Sequence, residues 1–295
     1  MLLDQTYEQY KSMLFGLAYR MLGSVADAED IVQDVFARYI EVDRDGIASE
    51  KAYLTKMTAN RCLNLLQSSA RQREQYVGPW LPEPLPEDGL SGFADPAERR
   101  ENIGYAYLVL LQELSPLERA IYILKETLGF DYRGIADMLD KTEISCRKTF
   151  SRAKMKVDQA SPGQERDQPE GQEGDAREKF VDAFLRASDT GNFKPLVAFL
   201  LDEVILLSDG GGKVRAALNP IIGIERVQAF FEGLAAKGTF KDGFKRIVLN
   251  GELGLLLERD GRNVLALCAE REPGGPRIRR IYIVLNPDKL ERFNQ

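Results

Sequence analysis

The stretch DYRGIADMLDKTEISCRKTFSRAKMKV, residues 131–157, decides the fold of the first half of this chain. Its pattern predicts a short helix over 131–139, a turn over 140–142 and a second helix after it. In the second helix the apolar residues recur at spacings of four, three and four, which places them on one inward face: Cys146, Phe150, Ala153 and Val157. A helix, a tight turn and a basic helix indicate a helix-turn-helix, whose second helix enters the DNA major groove.

Positive charge is concentrated in two islands of an otherwise acidic chain. The net charge is −6, yet Lys51 to Arg73 holds five cations and no acid, and Lys141 to Lys156 holds six cations and one acid, Glu143. A polyanion would therefore be bound at two separate patches and repelled elsewhere. The alternative is that both islands are ordinary solvated helix faces.

The composition lowers the expectation of catalysis, of a metal site and of a membrane span. Histidine is absent, which removes the residue that enzymes most often use for proton transfer near neutral pH. The cysteines Cys62, Cys146 and Cys268 are far apart and are expected to be buried apolar thiols. With no apolar run of 18 residues and no secretion signal, we expect a soluble cytoplasmic protein without metal or cofactor.

The remainder of the first half also predicts helices. Residues 24–40, SVADAEDIVQDVFARYI, carry an apolar stripe of helical period after a cap at Ser24, with acids on the opposite face. A helix over about 49–73 directs the first basic island outward. The segment SPLERAIYIL begins a helix at about Ser115, because a capping serine, a proline at the first helical position and Glu118 coincide there.

The sequence predicts that two segments are linkers. Prolines 79, 82, 84 and 86 exclude a helix and predict an extended chain, in which the only tryptophan, Trp80, is expected to dock against another surface. Residues 159–177 contain no aromatic or large aliphatic side chain and predict a disordered linker at a domain boundary.

The C-terminal part predicts an α+β fold. A helix, the short strand VILLS, a glycine stretch and a helix near Ile224 to Ala236 precede four strand-like runs separated by turns, which favours a curved antiparallel sheet over helices. In the last strand Ile281, Ile283 and Leu285 alternate with Tyr282 and Val284. Both faces of this strand are apolar, so each needs a cover.

The chain resembles the extracytoplasmic-function (ECF) sigma factors of bacterial RNA polymerase. DAEDIVQDVF is similar to the polymerase-binding helix of region 2, AYLTKMTANRCLNLLQ to its promoter-melting segment, and LSPLERAIYIL, DYRGIADML and SRAK to region 4. The C-terminal part resembles a SnoaL-like domain of the NTF2-like cone type. One group of these factors carries that fusion and three motifs, here WLPEP (80–84), DGGGK (209–213) and NPDKL (286–290).

The resemblance implies a multidomain organisation. Residues 1–76 would be an all-α region 2 domain, 77–97 a proline-rich linker, and 98–158 a region 4 helix-turn-helix domain. Residues 159–177 would be the disordered linker and 178–295 the α+β SnoaL-like domain. The implied partners are core RNA polymerase and promoter DNA, with no membrane; a small ligand of the SnoaL-like domain is left open, and no catalytic residue is implied.

The resemblance also implies roles for named side chains. The polymerase would be met by Asp27, Glu29, Asp30, Gln33 and Asp34, and the minus-10 element by Lys56, Asn60, Arg61, Asn64, Arg71 and Arg73. The melted base would sit in a pocket formed by the loop near Asp43 to Ser49, which offers few aromatics. The minus-35 element would be met by Ser145, Arg147, Lys148, Ser151, Arg152 and Lys154. Of the cations in this basic helix, Arg147 and Lys148 would reach guanine edges, whereas Arg152, Lys154 and Lys156 would hold phosphates.

The glycine stretch has two interpretations. A phosphate-binding loop needs a Lys-Ser or Lys-Thr pair that opens a helix, whereas Lys213 is followed by the strand-like run VRAAL, so a tight turn is favoured. The resemblance adds a regulatory contact between domains, with Lys213 near Glu83 or Glu87. That contact would use Trp80, Pro82, Glu83, Pro84, Asp209, Gly210, Gly211, Gly212, Lys213, Asn286, Pro287, Asp288, Lys289 and Leu290. For NPDKL, a plain chain-ending turn is the alternative.

Three functions are compared. The first is an alternative sigma factor controlled by its own C-terminal domain. The second is a ligand-responsive helix-turn-helix regulator, which leaves residues 1–75 without a task. The third is an enzyme, for which only the scattered acids Asp202, Glu225 and Asp242 are available, with no pairing visible.

Overall fold

A computed structural model describes residues 2–43, 46–68, 75–86, 104–160 and 170–294, with side chains described for all of them except 2–4 and 170–175. These residues form two compact units. The first contains residues 2–43, 46–68 and 107–160, and the second contains 75–86, 104–106 and 170–294. Arg71, Arg73 and Glu87 of the predicted sites lie outside the described residues, as do positions 44 and 45 of the loop expected to hold the melted base.

The first unit is helical. Its elements are α1 (Leu2–Leu22), α2 (Val25–Ile40), α3 (Glu50–Ser68), most of α4 (Tyr105–Gln112), α5 (Pro116–Tyr122) with a π-helical turn (Ile123–Thr127), α6 (Tyr132–Leu139) and α7 (Glu143–Ala160). Both predicted helix starts are confirmed. The Ser24 hydroxyl accepts from the Asp27 N–H at 3.3 Å, and Ser115 and Glu118 form a reciprocal capping box.

The helix-turn-helix is confirmed in α6 and α7. Asp140 ends α6 in the left-handed conformation, with φ 53°, which turns the chain into α7. The four residues predicted to face inward are all buried: Cys146, Phe150, Ala153 and Val157. In α2 the predicted stripe is buried through Tyr39, but Ile40, the last residue of the helix, is 58% exposed.

The second unit is an α+β domain, as predicted. It comprises α8 (Glu170–Thr190), a 3-10 helix (Lys194–Phe199), β1 (Leu200–Asp209), β2 (Ile221–Ile222), α9 (Ile224–Ala236), β3 (Phe244–Leu249), β4 (Glu252–Arg259), β5 (Arg262–Arg271), β6 (Ile278–Val284) and a terminal 3-10 helix (Pro287–Asn294). The sheet has the order β2-β1-β6-β5-β4-β3. Strands β3 to β6 pair antiparallel in sequence order, and β1 pairs parallel with β6.

Two predictions for this half need correction. The predicted disordered linker over 159–177 overlaps helices at both ends, because α7 continues to Ala160 and α8 begins at Glu170. An ion pair from Arg177 to Glu252 at 2.9 Å holds α8 against β4, so this low-hydrophobicity segment is stabilised by tertiary contact. The run VRAAL, expected to be strand-like, is irregular, because the chain turns twice before β2.

Aromatic side chains fill the space between the sheet and its helices. Phe184 of α8 is fully buried and its ring lies 5.1 to 6.1 Å from those of Phe193, Phe231, Phe240 and Phe244. Ile281 and Ile283 of β6 belong to the same core, and Leu285 packs against it. The interior face of the last strand thus has the cover that its alternation requires.

We expect Phe184→Ala to destabilise the second unit by about 3–5 kcal/mol, because truncation of a buried phenylalanine removes apolar burial and leaves a cavity. Chemical denaturation followed by circular dichroism measures the change. Arg186→Ala on the exposed side of the same helix is the matched control and should shift stability by less than about 0.5 kcal/mol. Equal effects of the two substitutions would show that the aromatic cluster is not the core of this unit.

Candidate nucleic-acid interface and linker clamp

The outward face of α7 presents the predicted minus-35 residues. Arg147, Lys148, Ser151, Arg152 and Lys154 are exposed and Ser145 is half-buried. Arg147 bonds to the Glu143 carboxylate at 2.6 and 3.2 Å and its guanidinium lies 4.5 Å from the centre of the Tyr132 ring. Its planar group is therefore held in place by two neighbours.

The other cations of α7 differ in whether a nearby carboxylate pairs with them. Lys154 lies 3.8 Å from Glu126, and Lys156 bonds to Glu118 at 2.8 Å. Within the described part of the chain, Lys148 and Arg152 form no ion pair, so no carboxylate neutralises their charges.

The predicted minus-10 residues of α3 contact the helix-turn-helix. The Lys56 ammonium donates to the Asp137 carbonyl at 3.1 Å, and the Asn60 amide donates to the Met138 carbonyl at 2.9 Å. Both carbonyls lie in the last turn of α6, where backbone acceptors lack helical partners and the helix dipole is negative. Asn64, one turn further along α3, is exposed.

The acidic side of α2 faces outward as predicted. Asp27, Asp30, Gln33 and Asp34 are exposed, and Glu29 is half-buried beside a shallow depression between α1 and α2. Asp34 forms an ion pair with Arg61 of α3. Asp34, which is expected to meet polymerase, and Arg61, which is expected to meet DNA, therefore neutralise each other's charge.

The second unit brings the three short motifs together around one buried carboxylate, Asp209, which is 0% exposed. Its Oδ1 accepts from the Tyr76 hydroxyl at 2.6 Å and from the Gly211 N–H at 2.9 Å. Its Oδ2 accepts from the Leu81 N–H at 2.9 Å and from the Lys289 ammonium at 2.7 Å. We call this group, with Trp80 and Asn286, the linker clamp.

Lys289 joins the linker to the end of the chain. Its ammonium also donates to the Leu81 carbonyl at 2.5 Å and lies 4.1 Å from the centre of the Trp80 ring and 5.1 Å from that of Tyr76. The charge is thus held by a carboxylate, a carbonyl and two aromatic faces. This contact is the docking surface predicted for Trp80.

Tyr76 and Asn286 complete the clamp. Burial, reinforced by the hydrogen bond to the Asp209 carboxylate, raises the pKa of Tyr76 well above its usual range, so the hydroxyl remains a donor. The Asn286 amide donates to the Tyr76 oxygen at 3.0 Å, and the Asn286 N–H donates to the Asp209 carbonyl at 3.0 Å. Linker, glycine turn and C-terminus therefore share one hydrogen-bond network.

The glycine turn is shaped by this network. Gly211 has φ 62°, and a β-carbon there would lie 2.4 Å from the Asn286 amide nitrogen. At Gly210 a β-carbon would lie 2.3 Å from the Val214 carbonyl oxygen. Gly210 is required by the close approach of the Val214 backbone, and Gly211 by its positive φ beside the Asn286 side chain, which agrees with the predicted turn.

The rest of the linker is fixed to the sheet. The Leu85 N–H donates to the Asn250 side chain at 3.0 Å and the Asn250 N–H returns a bond to the Leu85 carbonyl at 2.7 Å. The Tyr105 hydroxyl donates to the Pro82 carbonyl at 2.7 Å, and its ring packs edge-on against Tyr282 of β6. These contacts cover the outer face of the last strand.

The expected contact of Lys213 with Glu83 or Glu87 needs correction. Lys213 pairs with Asp288 at 2.7 Å, because the glycine turn folds it back toward the start of the terminal 3-10 helix. Glu83 lies instead 3.9 Å from Arg292. The clamp also uses Tyr76 and Leu81, which sequence reasoning missed because a linker tyrosine or a backbone amide carries no signal of its own.

Two further findings concern the described residues. None of their helices is long and apolar enough to cross a membrane. Nor do the described side chains include a cluster of three or more cysteine, aspartate or glutamate residues arranged to hold a metal ion.

Two segments of the chain match known protein families. Residues 6–72 match Sigma-70 region 2, and residues 105–157 match Sigma-70, region 4. The chain is 31% identical to the ECF RNA polymerase sigma factor SigJ of Mycobacterium tuberculosis, over 96% of this chain and 92% of that protein. It is 30% identical to a probable ECF RNA polymerase sigma factor, SigI, of the same species over 52% of this chain and 53% of that one.

The architecture agrees with a solved structure. The crystal structure of the M. tuberculosis extracytoplasmic function sigma factor SigJ matches with a TM-score of 0.75 and 27% identity, covering 98% of each chain. The match extends over both halves, so the α+β domain is part of the shared architecture.

We expect Asp209→Ala to destabilise the second unit by about 3–5 kcal/mol and to release residues 76–86, because it leaves Lys289 as a buried charge without its partner. Hydrogen exchange of the linker amides and chemical denaturation measure both effects. The matched control is Asp288→Asn, which breaks the exposed pair with Lys213, whose side chains are 62% and 56% exposed, and should cost less than about 1 kcal/mol. Unchanged linker exchange in Asp209→Ala would contradict the clamp.

Proposed function

Since the chain belongs to the ECF RNA polymerase sigma factors, and so is a transcription initiation factor rather than an enzyme, we propose that its C-terminal domain controls promoter recognition through the linker clamp. The observation that carries this proposal is the burial of Asp209 among donors from the linker and the C-terminus. We infer further that the protein acts in the cytoplasm together with core RNA polymerase.

The two basic helices are assigned to the two promoter elements. We assign α7 to the minus-35 element, with Arg147, preorganised by its neighbours, and Lys148 as readers of guanine edges and Arg152 as a phosphate contact. We assign α3 to the minus-10 element through Lys56, Asn60, Arg61 and Asn64. The acidic side of α2 is assigned to polymerase. The match of residues 6–72 to region 2 gives α1 to α3 a task that a simple helix-turn-helix regulator would lack.

We infer from the contacts of α3 that the protein without polymerase has a closed form. Elements centred near −10 and −35 lie about 25 base pairs apart, roughly 85 Å along B-DNA. A compact unit of about 120 residues is only roughly 35 Å across. While Lys56 and Asn60 bond to α6, α3 and α7 cannot reach both elements. Core polymerase would separate them, which explains why promoter binding should depend on it.

The clamp would limit this separation. Between α3 and α4, the described residues 75–86 belong to the second unit. Residues held there cannot serve as an extended tether, whose reach would be at most about 3.3–3.6 Å per residue. Release or retention of the clamp would therefore set how far region 4 can move from region 2.

We expect the purified protein alone to bind promoter DNA weakly and to open when core polymerase is added. Fluorophores on Gln67→Cys and Asp158→Cys, both exposed, report the separation of α3 and α7 by energy transfer. The native thiols Cys62, Cys146 and Cys268 are buried, and burial raises the pKa of each, so they label slowly. A loss of energy transfer together with specific open complexes is the predicted result. Strong promoter binding without polymerase and without opening would contradict it.

We expect runoff transcription from the cognate promoter to differ between the intact protein and a chain truncated after about residue 165. Asp209→Ala and Trp80→Ala should shift transcription in the same direction as truncation, because each frees the linker, whereas Asp288→Asn should behave as the intact protein. Thermal unfolding of the first unit serves as the folding control. Equal transcription by intact, truncated and clamp-variant proteins would show that the C-terminal domain has no regulatory role.

A further inference from the structure

A large apolar side chain lies on the exposed face of the recognition helix. Ile144, the second residue of α7, is 67% exposed, more than any other large hydrophobic side chain of the described residues. It does not belong to the inward face formed by Cys146, Phe150, Ala153 and Val157. Isolated exposed hydrophobic residues are common on proteins, so exposure alone carries no function.

The neighbours of Ile144 give its exposure a meaning. On a helix, residues at i+3, i+4 and i+7 share one face, and for Ile144 these are Arg147, Lys148 and Ser151. All three are exposed, and together they form the polar and cationic surface that suits DNA. The isoleucine is therefore the large apolar side chain at the N-terminal end of this stripe, and Met155 lies on the same face eleven residues further along α7.

Its position in α7 places it near the bases. In helix-turn-helix proteins the first residues of the recognition helix contact base edges, while the flanking residues contact the backbone. Arg147, one turn further on, is held by Glu143 and the Tyr132 ring. The tip of α7 thus presents a fixed guanidinium and an apolar group side by side.

The major groove offers one apolar group that matches this side chain. Thymine displays a 5-methyl group there, whereas the other three bases display only hydrogen-bonding edges. We propose that Ile144 contacts the 5-methyl group of one thymine in the minus-35 element and selects that base. This inference rests on the proposed assignment of α7 to the minus-35 element.

The test uses the full chain bound to core polymerase. A promoter selected by this holoenzyme from a library randomised across the minus-35 element is resynthesised with uracil replacing one thymine at a time, which removes only the methyl group. We expect binding to weaken by about three- to fourfold at one position, the factor for loss of one buried methyl group. Ile144→Ala should bind the thymine and uracil duplexes equally at that position.

Met155→Ala is the matched control, because Met155 is 55% exposed and lies eleven residues further along the same face. This variant should keep the difference between thymine and uracil, and Ile144→Val should keep part of it. The inference is overturned if no thymine of the element is sensitive to uracil, or if Ile144→Ala retains the sensitivity. It is also overturned if Ile144→Ala weakens binding of the chain to core polymerase instead.

A separate pair of variants distinguishes failure of the inference from failure of the assignment. Arg152→Ala and Lys154→Ala should weaken binding to thymine and uracil duplexes by the same factor, because phosphate contacts carry no sequence information. If neither variant affects minus-35 binding, α7 is not the minus-35 helix and both proposals fail. If both weaken binding while thymine and uracil remain equivalent, the assignment stands and the role of Ile144 is excluded.

Discussion

The second unit depends on the burial of a single carboxylate, Asp209, with a complete set of donors. A buried charge is costly unless each of its acceptor positions is satisfied. Here the hydroxyl of Tyr76, the backbone of Leu81, the glycine turn and Lys289 each supply one donor. Because these donors come from three distant segments, the carboxylate is fully satisfied only when all three segments are in place.

This requirement makes the linker a structural part of the C-terminal domain. Residues 81–85 are all buried, and the contacts at Asn250 and Tyr105 continue the attachment beyond the clamp. In a sigma factor the same linker joins the two DNA-binding regions. A network that is satisfied as a whole or not at all is suited to a switch, since partial release would leave charges buried without partners.

In the first unit, polar side chains of one helix satisfy the backbone carbonyls of another. Lys56 and Asn60, whose side chains suit phosphate and base edges, bond instead to carbonyls at the C-terminal end of α6. These carbonyls have no helical partners and need donors in the absence of DNA. The end of α6 is therefore satisfied by the same groups that we assign to the minus-10 element.

The sequence by itself determined the secondary structure and the broad function. Local signals were sufficient for the cap at Ser115, the period of α7 and the four C-terminal strands, because these depend on neighbours within one or two turns. The three motifs pointed to an interdomain contact, but the expected pairing of Lys213 with Glu83 was wrong. Only the tertiary structure decided that Asp209 is the centre, that Lys213 pairs with Asp288, and that β1 lies parallel to β6. Those choices depend on contacts between residues 75 or more positions apart in the chain, and no local pattern records them.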